Sequence, residues 1–258
     1  MHEVSEKYRQ LWAAGARTET SLVIGDSGRL VDQNGDRIIV GGVSILVDSG
    51  GPEGGYGSDR LISLECTRDV FADKGPTPGA CVAAEIDIEM LRPLGSIPRM
   101  ARLAPYVRLT DGVSASEWIP KGVYYIDTRE NSKDSAIETL KIHGYDGMLK
   151  AEMPYPASKL TWPAKDVQVV AEIASAMGVG VDPRTWAAMN RGYAVPYLTE
   201  YTCREILGQI AAAYGGCFVM SDTGDLLLIT LAGLPKETRL LIDHSGDYIV
   251  VGGDRIRV

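Results

Sequence analysis

Residues 81–90 read Cys81-Val82-Ala83-Ala84-Glu85-Ile86-Asp87-Ile88-Glu89-Met90. Val82, Ala84, Ile86, Ile88 and Met90 fall on one side of a period-two pattern, and Glu85, Asp87 and Glu89 on the other. A strand that alternates in this way is half-buried and antiparallel, with one face in a core and an acidic face in water. Similar β-rich runs lie on either side. Thr18–Ile24, Arg37–Val40, Val43–Val47, Leu61–Cys66, Arg99–Thr110, Gly122–Arg129 and Ala136–His143 are predicted strands. Asn34-Gly35 between apolar runs signals a hairpin, because that pair tolerates positive φ. Gly50–Ser58, with five glycines and a proline, predicts an exposed loop. Seven or eight short strands before residue 145 predict a barrel or sandwich. Ahead of them, Ser5–Ala14 predicts a short helix carrying Tyr8, Leu11 and Trp12 on one face.

The pattern changes after residue 144. Tyr145–Glu152 reads as a short helix stopped before Pro154. Asp166 is the expected cap of a helix with Val167, Val170, Ala171, Ile173, Ala174 and Met177 inward, ending at Gly178. Thr202-Cys203-Arg204-Glu205 matches a capping box, and the helix runs on through Ile206, Leu207, Ile210 and Tyr214. Strand Cys217–Met220, turn Ser221–Asp225 and strand Leu226–Thr230 follow as a hairpin. Beyond Pro235, Arg239–Ile242, Tyr248–Val251 and Arg255–Val258 are strand-like. The expected class is α+β and mainly β. A barrel domain spans 1–144, a small α/β domain 145–235, and a β segment 236–258.

Composition narrows the function. Across 258 residues, Lys and Arg number 26 and Asp and Glu 34, a net charge of −8. That excess argues against a basic nucleic-acid groove, which needs clustered cations. No apolar run approaches the ~18 residues of a membrane span. Met1–Arg9 is charged and lacks an apolar signal core, which argues against Sec export. Cys66, Cys81, Cys203 and Cys217 form no CxxC pair and are expected as buried, reduced thiols, in keeping with assembly in a reducing cytoplasm.

Catalytic constellations fall short. Gly25-Asp26-Ser27-Gly28 has the letters of a serine-protease nucleophile, but only His2 lies upstream to serve as base. Asp32–Asp36 opens like a calcium loop, yet Arg37 and Val43 stand where the glycine and the bidentate glutamate belong. Gly50–Ser58 lacks the lysine of a phosphate-binding loop. His143 near Asp146 offers one candidate base–carboxylate pair; a structural histidine is the simpler reading, and His244 reads as a turn residue. The sequence assigns no catalytic, cofactor-binding or metal-binding residue and implies no cofactor. Glu85, Asp87 and Glu89 are left as a solvated face, with a channel wall or interface as the other reading.

Four stretches together resemble the tail-hub (baseplate-hub) family of bacteriophages and prophages, often labelled minor tail proteins. They are Tyr8–Val23; Trp118-Ile119-Pro120-Lys121-Gly122-Val123-Tyr124-Tyr125-Ile126-Asp127; Ile142–Glu152 followed by Trp162-Pro163; and Thr202–Ala212 followed by Gly215-Gly216 and a hairpin ending Asp225–Ile229. The resemblance covers most of residues 1–230 in the same order. It implies a tube-type β-barrel, an intervening α/β domain and a second barrel, with three chains forming a pseudo-sixfold ring. It also implies a virion structural protein, assembled in the bacterial host cytoplasm, that joins tail tube to tip. The implied partners are its own copies in a homotrimer and the tail-tube, distal-tail and tail-tip proteins, with no specific nucleic acid. Residues 236–258 hold fewer strands than a second barrel needs, so that barrel is expected to be incomplete. Glu85, Asp87 and Glu89 would then face a lumen, where negative charge lets DNA slide. Two other classes compete. One is a receptor- or carbohydrate-binding β module using Tyr56, Trp118, Trp162 and Trp186, and the other is a cell-wall hydrolase.

Overall fold

A computed structural model describes residues 4–25, 39–40, 43–44, 52, 55–71, 77–93, 97–132, 138–197, 200–230, 250–251 and 254–255. Helix α1 (Glu6–Ala13) leads into β1 (Arg17–Ile24). The two-residue strands β2 (Ile39–Val40) and β3 (Val43–Ser44) pair with each other. Next come β4 (Leu61–Thr67), β5 (Glu85–Leu91), β6 (Arg102–Thr110), β7 (Ile119–Pro120), β8 (Tyr124–Ser132) and β9 (Thr139–Asp146). A 3-10 helix, η1 (Gly147–Glu152), precedes β10 (Ala164–Lys165), α2 (Asp166–Met177), α3 (Pro183–Ala188), β11 (Ala194–Val195), α4 (Cys203–Ala213), β12 (Gly216–Met220) and β13 (Leu226–Thr230). A last pair joins β14 (Val250–Val251) to β15 (Asp254–Arg255). The predicted Asn34-Gly35 hairpin, the Asp26–Gly28 and Asp32–Asp36 segments, His2, His244, most of Gly50–Ser58 and most of 236–258 lie outside the described residues.

The class is α+β, dominated by one antiparallel sheet of order β1-β6-β8-β9-β5-β4, with β7 beside β6. In a flat sheet, five gaps of ~4.8 Å would hold the edge strands roughly 24 Å apart. Yet Leu22 of β1 and Leu64 of β4 pack into one cluster with Ile86, Ile88, Met90, Leu103, Tyr124, Ile126 and Ile142. The sheet is therefore rolled, and its core is its own concave face. Tyr56 draws the edges together by exchanging backbone hydrogen bonds of 2.9 and 2.7 Å with Leu22. A turn at Gly57–Arg60 then interrupts the chain before β4 starts, with Leu61 N–H donating to Gly57 O. Among the described residues, a single bridge rather than a ladder spans the gap, so no closed barrel forms.

The decisive strand begins later than its pattern. Ala84, Ile86, Ile88 and Met90 are buried and Glu85, Asp87 and Glu89 face outward, but β5 starts only at Glu85. Residues 77–83 leave the sheet because another core holds them. Cys81 packs with Met148, Val170, Ile173, Ile206, Leu207 and Phe218 in the core of an α/β unit built from η1, α2, α4 and the β12–β13 hairpin. Arg204 donates to Cys81 O, which takes that carbonyl out of any ladder. Cys66, expected buried, is exposed on β4, while Cys81, Cys203 and Cys217 are buried, and all four are free thiols.

Three further expectations need correction. Asp166 does not cap α2. Lys165 is the cap, Gln168 Oε1 accepts from its N–H at 3.2 Å, and Asp166 is the first helical residue. The buried Asp166 carboxylate instead accepts from Tyr214 O–H at 2.5 Å and Tyr193 N–H at 3.1 Å, tying α2 to α4 and the β11 end. Burial and this carboxylate push the Tyr214 phenol up to about 12. Val169, not Ala171, completes the inward stripe of α2, because β10, β11 and α4 cover a face turned from the one the periodicity favours. The α4 capping box forms as its letters require. Thr202 Oγ1 accepts from Glu205 N–H at 3.2 Å, and Glu205 accepts from Thr202 N–H at 2.7 Å. Segment Tyr145–Glu152 divides into the end of β9 and a 3-10 rather than α-helical turn.

Gly208 on α4 meets Gly79, whose φ is +93°; a Cβ on Gly208 would lie 2.7 Å from Gly79 O. Alanine in a helix interior gains about 1 kcal/mol over glycine. Here the clash is with backbone, where overpacking costs about 1–3 kcal/mol. Gly208→Ala is expected to lower stability by about 1–2 kcal/mol in urea unfolding, although it improves helix propensity.

Candidate functional site

Strand register builds the outer surface of the sheet. Asp87 on β5 stands between Glu65 on β4 and His143 on β9, and Thr128 on β8 continues the row. Glu89 stands between Ser63 and Lys141, with Glu130 beyond Lys141. Glu85 stands between Thr67 and Tyr145, and Tyr125 follows. Cross-strand partners share a face, so Glu65, Glu85, Asp87, Glu89 and Glu130 form one carboxylate field relieved by Lys141 and His143. The three acids legible in the β5 alternation thus belong to a wider surface. Glu65 and Glu130 carried no local signal, because register between strands is invisible to a single-strand pattern.

His143 does not pair with Asp146. They are three residues apart on β9, and an odd separation sends side chains to opposite faces. His143 Nδ1 lies 2.8 Å from Asp87 Oδ1 on the outer face, while Asp146 is buried. Among the described residues, no group of His, Cys, Asp and Glu is arranged to hold a metal ion.

The aromatic candidates do not converge. Tyr56 packs at the rim of the sheet core, and Trp118 lies under Arg108, whose guanidinium is 4.4 Å from the ring centroid. Trp162 packs against Tyr155 and Tyr197, at ring-centroid distances of 6.2 and 5.0 Å. Trp186 is exposed on α3.

The other notable constellation is a polar seam between the two apolar cores, which sequence reading missed. Asp146 ends β9, opposite Tyr124 on β8, and caps η1 by accepting from Met148 N–H at 2.9 Å. Arg68, just past β4, lies 2.7 Å from Asp222 in the β12–β13 turn and donates to Lys121 O at 3.1 Å. Tyr124 O–H donates to the same carbonyl at 3.1 Å. Burial raises the Tyr124 phenol well above its ordinary range. Arg204, at the start of α4, donates to Cys81 O and, at 3.1 Å, to Met148 O. Glu152 sits 2.7 Å from Arg204 Nε as a charge contact and not an aligned hydrogen bond, for that N–H has no acceptor on its axis. Gly224 fits against Val123, where a Cβ would come within 2.9 Å of the valine side chain. The seam joins groups from β4, β8, β9, α4 and the β12–β13 turn, and its chemistry is cohesion.

No protein-family model and no curated protein matches the chain. Solved structures that match it include three tail proteins. One is the 43 kDa tail protein of prophage MuSo2 from Shewanella oneidensis, with TM-score 0.48 and 12% identity over 82% of this chain and 53% of that one. Another is the tail protein from Neisseria meningitidis MC58, with TM-score 0.47 and 13% identity over 85% and 53%. The third is prophage tail protein gp18 from Listeria monocytogenes EGD-e, with TM-score 0.40 and 11% identity over 76% and 54%. The chain spans about half the length of these solved chains.

Arg204→Met keeps the aliphatic stem but leaves two carbonyls in the seam without their donor. Each unmet buried group costs about 1–3 kcal/mol. Urea unfolding of this variant is expected to show a loss of about 2–4 kcal/mol, against under 0.5 kcal/mol for an exposed control such as Arg9→Met.

Proposed function

We propose that the chain is a non-catalytic structural subunit of a phage or prophage tail. In this reading it is a hub subunit that joins tail tube to tail tip by forming an oligomeric ring. One observation carries the reading. Three of the four stretches that resemble the tail-hub family meet at the seam. Trp118–Asp127 contributes Lys121 O, Val123 and Tyr124; Ile142–Glu152 contributes Asp146, Met148 and Glu152; and Thr202–Ala212 with the hairpin that follows contributes Arg204, Asp222 and Gly224. These stretches lie far apart in the chain, and together they hold the sheet against the α/β unit. The fourth, Tyr8–Val23, supplies α1 and the edge strand β1.

The rolled sheet is read as part of the tube-type barrel, and residues 236–258 as belonging to a second one. The carboxylate field around Glu85, Asp87 and Glu89 is read as a lumen wall. Like charge repels phosphate and keeps passing DNA from adhering. The partners are further copies, as a homotrimer, and the tail-tube, distal-tail and tail-tip proteins. A carbohydrate-binding module has less support, since Tyr56, Trp118, Trp162 and Trp186 form no common platform.

Light scattering across a concentration series, with negative-stain imaging of the main peak, tests the ring. A trimer or hexamer with a central hole is the expected result. A strict monomer at high concentration that binds glycans would replace this reading with the binding module. In an assembled phage, the triple substitution E85K/D87K/E89K is expected to slow DNA release. Unchanged release kinetics would remove the lumen assignment.

A further inference from the structure

We propose that the seam between the rolled sheet and the α/β unit is a proton-operated latch centred on Asp146, tighter in mild acid and looser at neutral pH. This goes beyond the tail reading and does not depend on it. Asp146 is 4% exposed, stands opposite Tyr124 of the sheet core and caps the turn that carries Met148 of the α/β core. Its backbone N–H donates to Ala84 O at 2.9 Å, where β5 departs toward the α/β unit, and its carboxylate accepts from Met148 N–H. One side chain therefore sits where the sheet hands over to η1.

The charged and titratable groups around it are spoken for. Arg68, beyond β4, is engaged with Asp222 and Lys121 O. Arg204, from α4, is engaged with Cys81 O, Met148 O and Glu152. From β8, Tyr124 donates to Lys121 O, and the Cys66 thiol of β4 lies near that phenol. Both guanidiniums act on Asp146 through space, without a hydrogen bond to it. A buried carboxylate that lacks a direct cation partner bears most of its desolvation cost. Burial outweighs the backbone N–H bonds and the arginines and lifts the Asp146 carboxyl from 3.8 to about 6. Protonation leaves neither arginine stranded, since each keeps its own acceptors.

The folded value lies above the unfolded one. The contribution of this group to stability is therefore complete below the ordinary carboxylate pKa and is lost as pH rises through about 6. The opposite sign holds for Glu19 and Asp182, whose carboxyls are held low by hydrogen bonds from Arg108 and Arg184. A comparison at one position is needed to separate the two effects.

Hydrogen exchange of the full chain at pH 5.0 and pH 7.5, corrected for intrinsic rates, reads the latch over residues 146–153 and 203–213. Wild type is expected to gain roughly tenfold protection there at pH 5.0 relative to D146N. The asparagine keeps an oxygen for the Met148 N–H, so the cap survives without the charge. Identical pH dependence in wild type and D146N would overturn the latch. A carboxyl-carbon NMR titration of Asp146 in the wild-type chain provides a second reading that does not rely on the variant folding. A midpoint near 6 supports the latch, and one at the ordinary carboxylate value overturns it.

Discussion

Two apolar cores meet in this chain across a layer of polar groups, and the docking of sheet on α/β unit depends on satisfying that layer. Residues 77–83, η1 and the segment ahead of β8 each bring a backbone carbonyl to the seam. Buried carbonyls without donors would make the interface unfavourable. Arg204 answers two of them with one side chain, and Arg68 and Tyr124 share a third. Arginine suits the task, because its planar fork presents several donors in fixed geometry and cannot be neutralised. The glycine contacts at Gly79–Gly208 and Gly224–Val123 belong to the same design, for they let backbone approach closely enough that few voids remain.

The rolled sheet follows from how its strands are loaded. β5, β8 and β9 carry apolar residues on one face, and the β1 and β4 edges offer Leu22 and Leu64 to the same interior. Among the described residues no separate layer of helices covers that face, and burial is achieved by the sheet curling upon itself. Curling turns the other face outward, and there Glu65, Glu85, Asp87, Glu89 and Glu130 collect. The surface field is thus a by-product of core formation. Helix α1 is fastened beside β6 by Ser5, whose N–H and hydroxyl both donate to Glu117, at 2.7 and 2.5 Å.

Some elements were readable from letters alone because their determinants are local. The α4 capping box needs only Thr202 and Glu205 at the right spacing, and Gly178 ends α2 with φ +67° as an αL cap should. The alternation of residues 84–90 names the buried and wet sides of β5 without reference to any neighbour. Other readings failed where a remote contact overrode a local preference. Asp166 resembles a helix cap, yet Tyr193 and Tyr214 claim its carboxylate from more than 25 residues away. Cys81 fits a strand pattern, yet Arg204, 123 residues on, pins its carbonyl. His143 and Asp146 are near neighbours in sequence, yet pleating sends them to opposite faces.

By itself the sequence determined the α+β class, the positions of most strands and helices, and the acidic character of one strand face. Periodicity and capping act within a few residues, and any folded form of the chain must honour them. Tertiary structure alone decided that the sheet rolls, that Glu65 and Glu130 join the β5 carboxylates, and that Arg68, Asp146 and Arg204 stand in one seam. Those outcomes rest on strand register and on contacts between segments up to 154 residues apart, such as Arg68 with Asp222. Such contacts form only when burial of both cores offsets the entropy of closing the loops between them, a balance that no short stretch of letters records.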